Sequence, residues 1–148
     1  MDRVKKIIHT DYAYRSGLSG QNVTVAVMDT GIVAHSDFED RIIYFHDFCN
    51  GRKEMYDDNG HGTHVSGIIA GNGKMSEQYL KDTAQKVRIY SGVAPKCRII
   101  MLKVLDENGN GNTKKVLDAV MWVKENRERY HIKILNISVG MLPGAGVE

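Results

Sequence analysis

The sequence predicts an α/β fold of three layers, in which a parallel β-sheet lies between helices on both faces. Short apolar, β-branched segments alternate along the chain with helix-compatible segments, which is typical of a parallel sheet built from right-handed crossovers. The chain has 148 residues, of which 42% are hydrophobic and 26% are charged. These are the values of an ordinary globular protein, and they predict a single domain over residues 1–148.

The first half of the chain contains two predicted helices and two predicted strands. Residues 10–17 begin with a capping Thr and end with a Gly, which predicts a short helix. Residues 23–29 are apolar or β-branched almost throughout, as expected of a strand that is covered on both faces. Residues 41–48 form a second strand candidate. Residues 61–70 have the pattern of a helix rich in small residues.

The second half continues the alternation after a long excursion. Residues 71–92 show no clear period and are interpreted as a surface segment with a helical turn or two near residues 76–86. Residues 98–105 are the third predicted strand. A helix capped by Thr113 is predicted to extend to about Tyr130, and residues 132–140 supply the fourth strand.

The fourth predicted strand has only residues 141–148 after it, so nothing in the chain covers its outer edge. We therefore expect a sheet that stops after about the fourth strand. An exposed apolar edge strand pairs readily with another chain. Self-association, or binding of a complementing carboxy-terminal segment, is expected through residues 132–139.

Charge and patterning argue against several classes of function. Lys and Arg number 20 against 18 Asp and Glu, with both signs mixed along the chain, which argues against nucleic-acid binding. The apolar runs are far shorter than the ~20 residues that cross a bilayer, and no signal-peptide core follows the amino terminus. We expect no membrane association and a cytoplasmic location.

The cysteine spacing and the absence of phosphate-binding glycine motifs argue against further classes of protein. Cys49 and Cys97 form no CxxC pair and are expected to be reduced thiols. The sequence contains none of the glycine-rich phosphate-binding motifs, and this argues against a nucleotide-binding domain.

Asp29 ends the first predicted strand, directly before Thr30 and Gly31. Functional sites in open parallel sheets gather at the carboxyl ends of the strands. Taken alone, an Asp at this place is more often a turn residue or a helix N-cap than a catalytic group, so a second signal is needed.

His61 provides that signal, because it begins a predicted helix and its ring can project toward a neighbouring strand end. An imidazole acts as a general base only when one tautomer is held and the imidazolium is stabilised, and a carboxylate such as Asp29 does both. The alternative is a zinc site formed by His61 and His64. Zinc-binding helices usually place their ligands four residues apart rather than three, and no third ligand is evident.

Two segments, in this order, resemble the subtilisin-like serine proteases. Val-Ala-Val-Met-Asp-Thr-Gly-Ile at residues 25–32 is similar to the segment around that family's catalytic Asp. His-Gly-Thr-His-Val-Ser-Gly at residues 61–67 is similar to the segment around its catalytic His. The resemblance is greatest to intracellular bacterial members, and it extends to residues 93–95, 103–105, 109–111 and 136–140.

The resemblance implies a serine endopeptidase that acts on polypeptides and has a fold of subtilisin type. By this resemblance Asp29 orients the base, His61 takes a proton from a serine hydroxyl, and His64 is structural. Members of the family pair an extended substrate with the main chain of two segments. In this sequence those segments are Gly109, Asn110 and Gly111, and Ser138, Val139 and Gly140.

Two further motifs of the family do not occur in the 148 residues: the Gly-Thr-Ser-Met-Ala-like turn of the nucleophile and the segment of the oxyanion-hole Asn. Ser66, Ser91 and Ser138 lack the sequence context of a nucleophile elbow. We therefore expect residues 1–148 to be the amino-terminal half to two thirds of a catalytic domain, inactive alone. The alternative is a non-catalytic half-fold that acts as a binding or complementation module.

No cofactor is required by the implied chemistry. Asp37 resembles a calcium ligand of the family, but residues 71–92 replace the loop that completes that site, so calcium is an alternative rather than a requirement. Asp57 and Asp58 stand beside Asn59 and Gly60 and are interpreted as a solvated turn rather than as metal ligands.

Overall fold

The computed structural model describes residues 2–83 and 89–140, and these residues form four strands and five helices. The alternation of strands and helices follows the predicted order. In chain order the elements are α1 (Asp2–Ile7), α2 (Thr10–Arg15), β1 (Thr24–Asp29), β2 (Ile42–Asp47), α3 (His61–Ala70), α4 (Lys74–Thr83), β3 (Arg98–Lys103), α5 (Thr113–Asn126) and β4 (Ile132–Ile137).

The four strands form one parallel sheet in the order β2-β3-β1-β4. β1 lies between β3, where Asp29 is opposite Lys103, and β4, where Met28 is opposite Ile137. Because the strands are parallel, their carboxyl ends meet at one edge of the sheet. The predicted α/β fold with a parallel sheet is confirmed.

The side chains of β1 pack into two cores, one on each face of the sheet. Ala26 and Met28 belong to a buried cluster that includes two residues of α5. Val25 and Val27 belong to a second cluster that includes Ala70 of α3. Successive residues of a strand point to opposite faces, so burial on both faces explains why β1 is apolar at nearly every position.

The ends of α5 differ from the prediction. Asn112, not Thr113, is the N-cap: its Oδ1 accepts a hydrogen bond of 2.9 Å from the backbone N–H of Lys115. Asn and Thr are both good N-cap residues, and the predicted cap, Thr113, is one residue after the observed one. The helix ends at Asn126 rather than near Tyr130.

Other boundaries also differ from the prediction. β4 ends at Ile137 rather than at residue 140, and β3 ends at Lys103 rather than at residue 105. Helix α1 was not predicted from the sequence. In the surface segment, α4 covers most of the helix expected near residues 76–86, whose last positions lie outside the described residues.

Within residues 2–83 and 89–140, no helix is long and apolar enough to cross a membrane.

Cys49 and Cys97 are free thiols, and burial raises the pKa of each. A raised pKa lowers the fraction of thiolate, so neither cysteine is an activated nucleophile near neutral pH.

Asp47 is buried at the end of β2 and accepts four hydrogen bonds. The donors are the backbone N–H groups of Cys49, Asn50 and Arg52, at 2.7, 3.0 and 3.1 Å, and the Tyr56 hydroxyl, at 2.7 Å. Burial by itself raises the pKa of Asp47, but these hydrogen bonds outweigh it, and the pKa lies below its usual value.

Asp47→Asn is expected to destabilise the chain by about 2 kcal/mol at neutral pH, because hydrogen bonds to a charged group contribute roughly that much. A carboxyl group whose pKa is lowered by folding stabilises the fold above its unfolded pKa of about 4, and loses that effect as the pH falls through the folded pKa. Urea unfolding should therefore show a full difference between wild type and variant at pH 7 and a smaller one at pH 3. Equal differences at both values would contradict this expectation.

Candidate active site

Asp29, the last residue of β1, is fully buried at the carboxyl edge of the sheet. Its Oδ1 accepts a hydrogen bond of 2.7 Å from the Thr30 backbone N–H and lies 2.8 Å from Nδ1 of His61. Its Oδ2 is buried and has no hydrogen-bond partner among the described residues. The structure thus brings together the two residues that the sequence analysis paired.

His61 is the first residue of α3, and its side chain is 50% exposed, whereas that of Asp29 is 0% exposed. Nδ1 faces the buried carboxylate. Of the residues that the structure describes, none hydrogen-bonds to the other ring nitrogen, Nε2. A carboxylate at Nδ1 keeps the proton of the neutral ring on that atom, which leaves the lone pair of Nε2 available to accept one.

The start of α3 packs directly on the turn that follows β1. A Cβ atom on Gly62 would lie 2.2 Å from the carbonyl oxygen of Gly31 and 3.1 Å from Cβ of Asp29. Gly31 has a φ of +133°, and a Cβ atom there would lie 2.1 Å from the carbonyl oxygen of Tyr56. Glycine at both positions permits the close approach that brings His61 to Asp29.

Asp57 connects the end of β1 to the start of α3. Its Oδ1 accepts hydrogen bonds of 2.8 Å from the Thr30 hydroxyl and the Gly60 N–H, and its Oδ2 accepts bonds of 2.8 and 2.6 Å from the N–H and hydroxyl of Thr63. Burial by itself raises the pKa of Asp57, but the bonds from Thr63, Gly60 and Thr30 outweigh it and lower the pKa. The interpretation as a solvated turn is wrong for Asp57, because its carboxylate is half-buried and fully hydrogen-bonded.

Lys103 ends β3, and its side chain is fully buried. Its ammonium group donates to Oδ1 of Asp58, at 2.7 Å, and to the carbonyl oxygens of Thr30 and Leu105. It also lies 4.9 Å from the centre of the Tyr56 ring. A buried charge is tolerated when it is paired and its donors are satisfied, so Asp58 is the partner of a buried cation rather than a free surface charge.

The loops after β3 and β4 contain the predicted substrate-binding residues. Since β1 lies between these strands, the two loops flank Asp29. The side-chain amide of Asn59 donates a hydrogen bond of 2.9 Å to the carbonyl oxygen of Glu107. This bond connects the loop after β3 to the turn before α3. All six predicted residues are exposed: Gly109, Asn110, Gly111, Ser138, Val139 and Gly140.

The residues considered as metal ligands have other partners or stand apart. Oδ1 of Asp37 accepts a hydrogen bond of 2.8 Å from the Met75 backbone N–H at the start of α4. Residues 2–83 and 89–140 contain no group of three His, Cys, Asp or Glu side chains arranged to hold a metal ion. Calcium at Asp37 stays a prediction. His64, considered with His61 as a zinc ligand, is an exposed residue of α3.

The three serines considered as nucleophiles occupy different places. Ser66 is fully buried in α3. Ser91 accepts a hydrogen bond of 2.7 Å from the Lys5 ammonium group. Ser138, just after β4, accepts one of 2.9 Å from the side-chain amide of Asn136 within the strand. None of these serines hydrogen-bonds to His61 in the described part of the chain.

Three residues that support the Asp29–His61 pair were not predicted in that role: Thr30, Lys103, and Asp57, which was interpreted as part of a solvated turn. Lys103 had a detectable signal, because a lone Lys inside the apolar segment 98–105 has to be buried with a partner. Thr30 and Asp57 had none, since the hydrogen bond between them joins residues in separate elements.

Comparisons with known proteins agree with this geometry. The sequence pattern of the subtilase family matches residues 20–146. The chain is 38% identical over 145 residues to serine protease AprX of Bacillus subtilis (strain 168), a match that covers 95% of this chain and 30% of that protein. It is 33% identical over 141 residues to the major intracellular serine protease of the same organism, covering 91% of this chain and 39% of that protein.

Two solved structures of proteases also resemble this chain. A cold-adapted subtilisin-like serine proteinase matches with a TM-score of 0.59 and 34% identity over 74% of this chain and 34% of that one. The CspB protease of Clostridium perfringens matches with a TM-score of 0.70 and 25% identity over 91% of this chain and 33% of that one. The chain spans about a third of the length of these relatives. On the family pattern and the identities together, the chain belongs to the subtilase family.

Proposed function

We propose that the chain contributes the general base and its orienting carboxylate to the active site of a subtilisin-type serine endopeptidase. The observation that carries this proposal is the 2.8 Å contact between Nδ1 of the half-exposed His61 and Oδ1 of the fully buried Asp29. Family membership supports it, since the relatives above are named as serine proteases.

In the proposed reaction, Asp29 holds the proton of His61 on Nδ1. Nε2 removes the proton of a serine hydroxyl as that oxygen attacks the carbonyl carbon of the scissile peptide. The Asp29 carboxylate keeps its charge and stabilises the imidazolium that forms. His61 then gives the proton to the amine that leaves as the peptide C–N bond breaks. In the second half His61 takes a proton from a water molecule that attacks the serine ester, and returns it to the serine oxygen as the acyl group leaves. These proton transfers require no cofactor.

We propose a polypeptide in extended conformation as the substrate. It lies between Gly109, Asn110 and Gly111 on one side and Ser138, Val139 and Gly140 on the other, with main-chain hydrogen bonds to both segments. Their exposure and the strand order, which puts them on either side of Asp29, support this placement.

The nucleophile and the side-chain donor of the oxyanion hole are proposed to come from sequence other than these 148 residues. Residues 1–148 then act as the amino-terminal half to two thirds of a catalytic domain, and this polypeptide alone is inactive. The burial of Ser66 supports this proposal. So does the absence from the sequence of the family's nucleophile motif.

A fluorophosphonate probe, which labels activated serines, tests this proposal. The 148-residue chain is expected to stay unlabelled. A chimera in which residues 1–140 replace the matching segment of serine protease AprX, called the AprX chimera below, is expected to be labelled at the serine that AprX contributes. Labelling of the chain alone would contradict its inactivity, and a folded chimera that stays unlabelled would contradict the proposed function.

The outer edge of β4 favours a second function, that of a binding module. β4 pairs with β1 on one side, and no strand within residues 2–83 and 89–140 pairs with its other side. Ile134 and Ile137 of β4 are 52% and 45% exposed. We propose that this edge receives a complementing carboxy-terminal segment or, when the chain is alone, a second copy of itself.

The chain alone is accordingly expected to form dimers or larger species, visible by light scattering as concentration rises. The double variant Ile134→Lys, Ile137→Lys should remain a monomer, because charge on an edge strand opposes pairing. A wild-type chain that stays monomeric at millimolar concentration would rule out pairing through β4.

We also propose a cytoplasmic location in a bacterium. Two free thiols are typical of a reducing compartment, and one relative is named as intracellular. Cell fractionation checks this location, and recovery of the protein from the culture medium would contradict it.

A further inference from the structure

Asp57 hydrogen-bonds to residues that adjoin both members of the Asp29–His61 pair. Thr30, which donates to its Oδ1, directly follows Asp29 in the chain. Gly60, which donates to the same oxygen, directly precedes His61. The carboxylate itself bonds to neither member of the pair, yet it connects the strand end and the helix start that hold them.

The Thr30 hydroxyl closes this connection into a ring. It donates to Asp57 and accepts a hydrogen bond of 2.9 Å from the backbone N–H of Gly62. Beside it, the Ile32 N–H donates to the carbonyl oxygen of Tyr56 at 3.1 Å. A movement of α3 along or around its axis relative to β1 would break several of these bonds together.

Asp57 is one of the side chains that cap the first turn of α3. The N-cap position is Gly60, which has no side chain to bond the free N–H groups of the turn. Three side chains accept the N–H groups of this turn instead: Asn59 from His61, Thr30 from Gly62 and Asp57 from Thr63. Asp57 is the one that also bonds the Gly60 N–H and that places a negative charge at the positive end of the helix dipole. Because His61 is the first residue of this helix, the bonds that fix the turn also fix the backbone from which the imidazole ring projects.

We propose that Asp57 is a positioning residue that sets the distance and orientation between His61 and Asp29. It does so by tying the first turn of α3 to Thr30 at the end of β1. The inference rests on the proposed function, since positioning affects catalysis only if His61 is the base. The position of the His61 imidazole relative to Asp29 is measurable in the chain without any catalytic turnover.

The test compares Asp57→Asn with Asp47→Asn in the full 148-residue chain. Asn keeps the size of Asp but replaces one acceptor oxygen with a donor, so bonds from Thr63 or Gly60 are lost. Asp47 is the matched control, because it also accepts backbone N–H groups of a turn but none from the residues next to His61. ¹⁵N NMR of the His61 ring reports which nitrogen carries the proton and how fast the Nδ1 proton exchanges with water.

Asp57→Asn is expected to speed exchange of the Nδ1 proton about tenfold or more and to populate both neutral tautomers. Asp47→Asn is expected to change neither, although it also lowers stability. A folded Asp57→Asn chain with the wild-type tautomer and exchange rate would overturn the inference. Equal changes in the two variants would overturn it as well, because they would reflect stability alone.

A second pair of variants covers the case in which Asp57→Asn does not fold. Thr30→Val removes the hydroxyl that links Asp57 to Gly62, and Thr30→Ser retains it. The inference requires faster exchange in the Val variant and wild-type exchange in the Ser variant, and the same behaviour in both would overturn it. Failure of the proposed function would appear separately, as a folded AprX chimera without serine labelling.

Discussion

Replacing His61 with Ala is expected to lower kcat of the AprX chimera by about 10⁶-fold, which is the loss known for the base histidine of subtilisin, a member of the same family. The variant lacks the general base that takes the serine proton, so the remaining rate comes from substrate binding and the oxyanion hole. Asp29→Ala is expected to cost less, about 3 × 10⁴-fold, again the subtilisin value, because His61 still accepts a proton.

His64→Ala is the matched control for this experiment. It removes the same side chain from the same helix, at a position that is exposed. Its kcat is expected to stay within about twofold of the chimera's, since exposed substitutions change free energies by about 0.5 kcal/mol. An equal loss in both variants, or a His61→Ala chimera that keeps more than about a hundredth of the activity, would show that His61 is not the base.

Gly62→Ala is expected to destabilise the chain by about 3 kcal/mol, the upper part of the usual range for forcing extra atoms into a packed site. The added methyl carbon would lie 2.2 Å from the carbonyl oxygen of Gly31, which is backbone and cannot rotate away. α3 must therefore move outward from β1. The same movement should lengthen the contact between His61 and Asp29, so loss of activity in the chimera is expected to accompany the loss of stability.

Gly67→Ala is the control on the same helix. A Cβ atom at Gly67 has nothing within 4 Å, and replacing a helical Gly with Ala favours the helix by roughly 0.5–1 kcal/mol. Urea unfolding of the two variants is expected to give shifts of opposite sign. Destabilisation by both variants would mean that the packing at Gly62 has no special part in joining α3 to β1.

The Asp29–His61 pair was predictable because its signals are local. An apolar, β-branched segment that ends in Asp29 and a small-residue helix that begins with His61 can each be recognised within a few residues. The parallel sheet then follows from the alternation of elements, and with it the expectation that strand ends meet at one edge. The position of β1 between β3 and β4 needed the structure, since it depends on which strands pair.

The supporting residues were not predictable in the same way. Asp57 stands in a polar turn whose composition also fits a solvated loop, and only the folded chain brings the Thr30 hydroxyl 2.8 Å from its carboxylate. Asp58 and Lys103 are 45 residues apart in sequence and 2.7 Å apart in space. The lone Lys of an apolar segment indicates that Lys103 is buried with a partner, but hydrogen bonds between distant segments have no periodicity or spacing, so sequence patterns do not show which residue that partner is.

The ¹⁵N chemical shifts of the His61 ring test the proposed base most directly. In the neutral ring of the wild-type chain, Nδ1 is expected to carry the proton and Nε2 to be unprotonated, because Asp29 accepts the hydrogen bond at Nδ1. Asp29→Asn should abolish this preference, and His61→Gln assigns the signal among the six histidines. A wild-type ring with its proton on Nε2 would contradict the proposal, since that nitrogen could not then accept the proton of a serine.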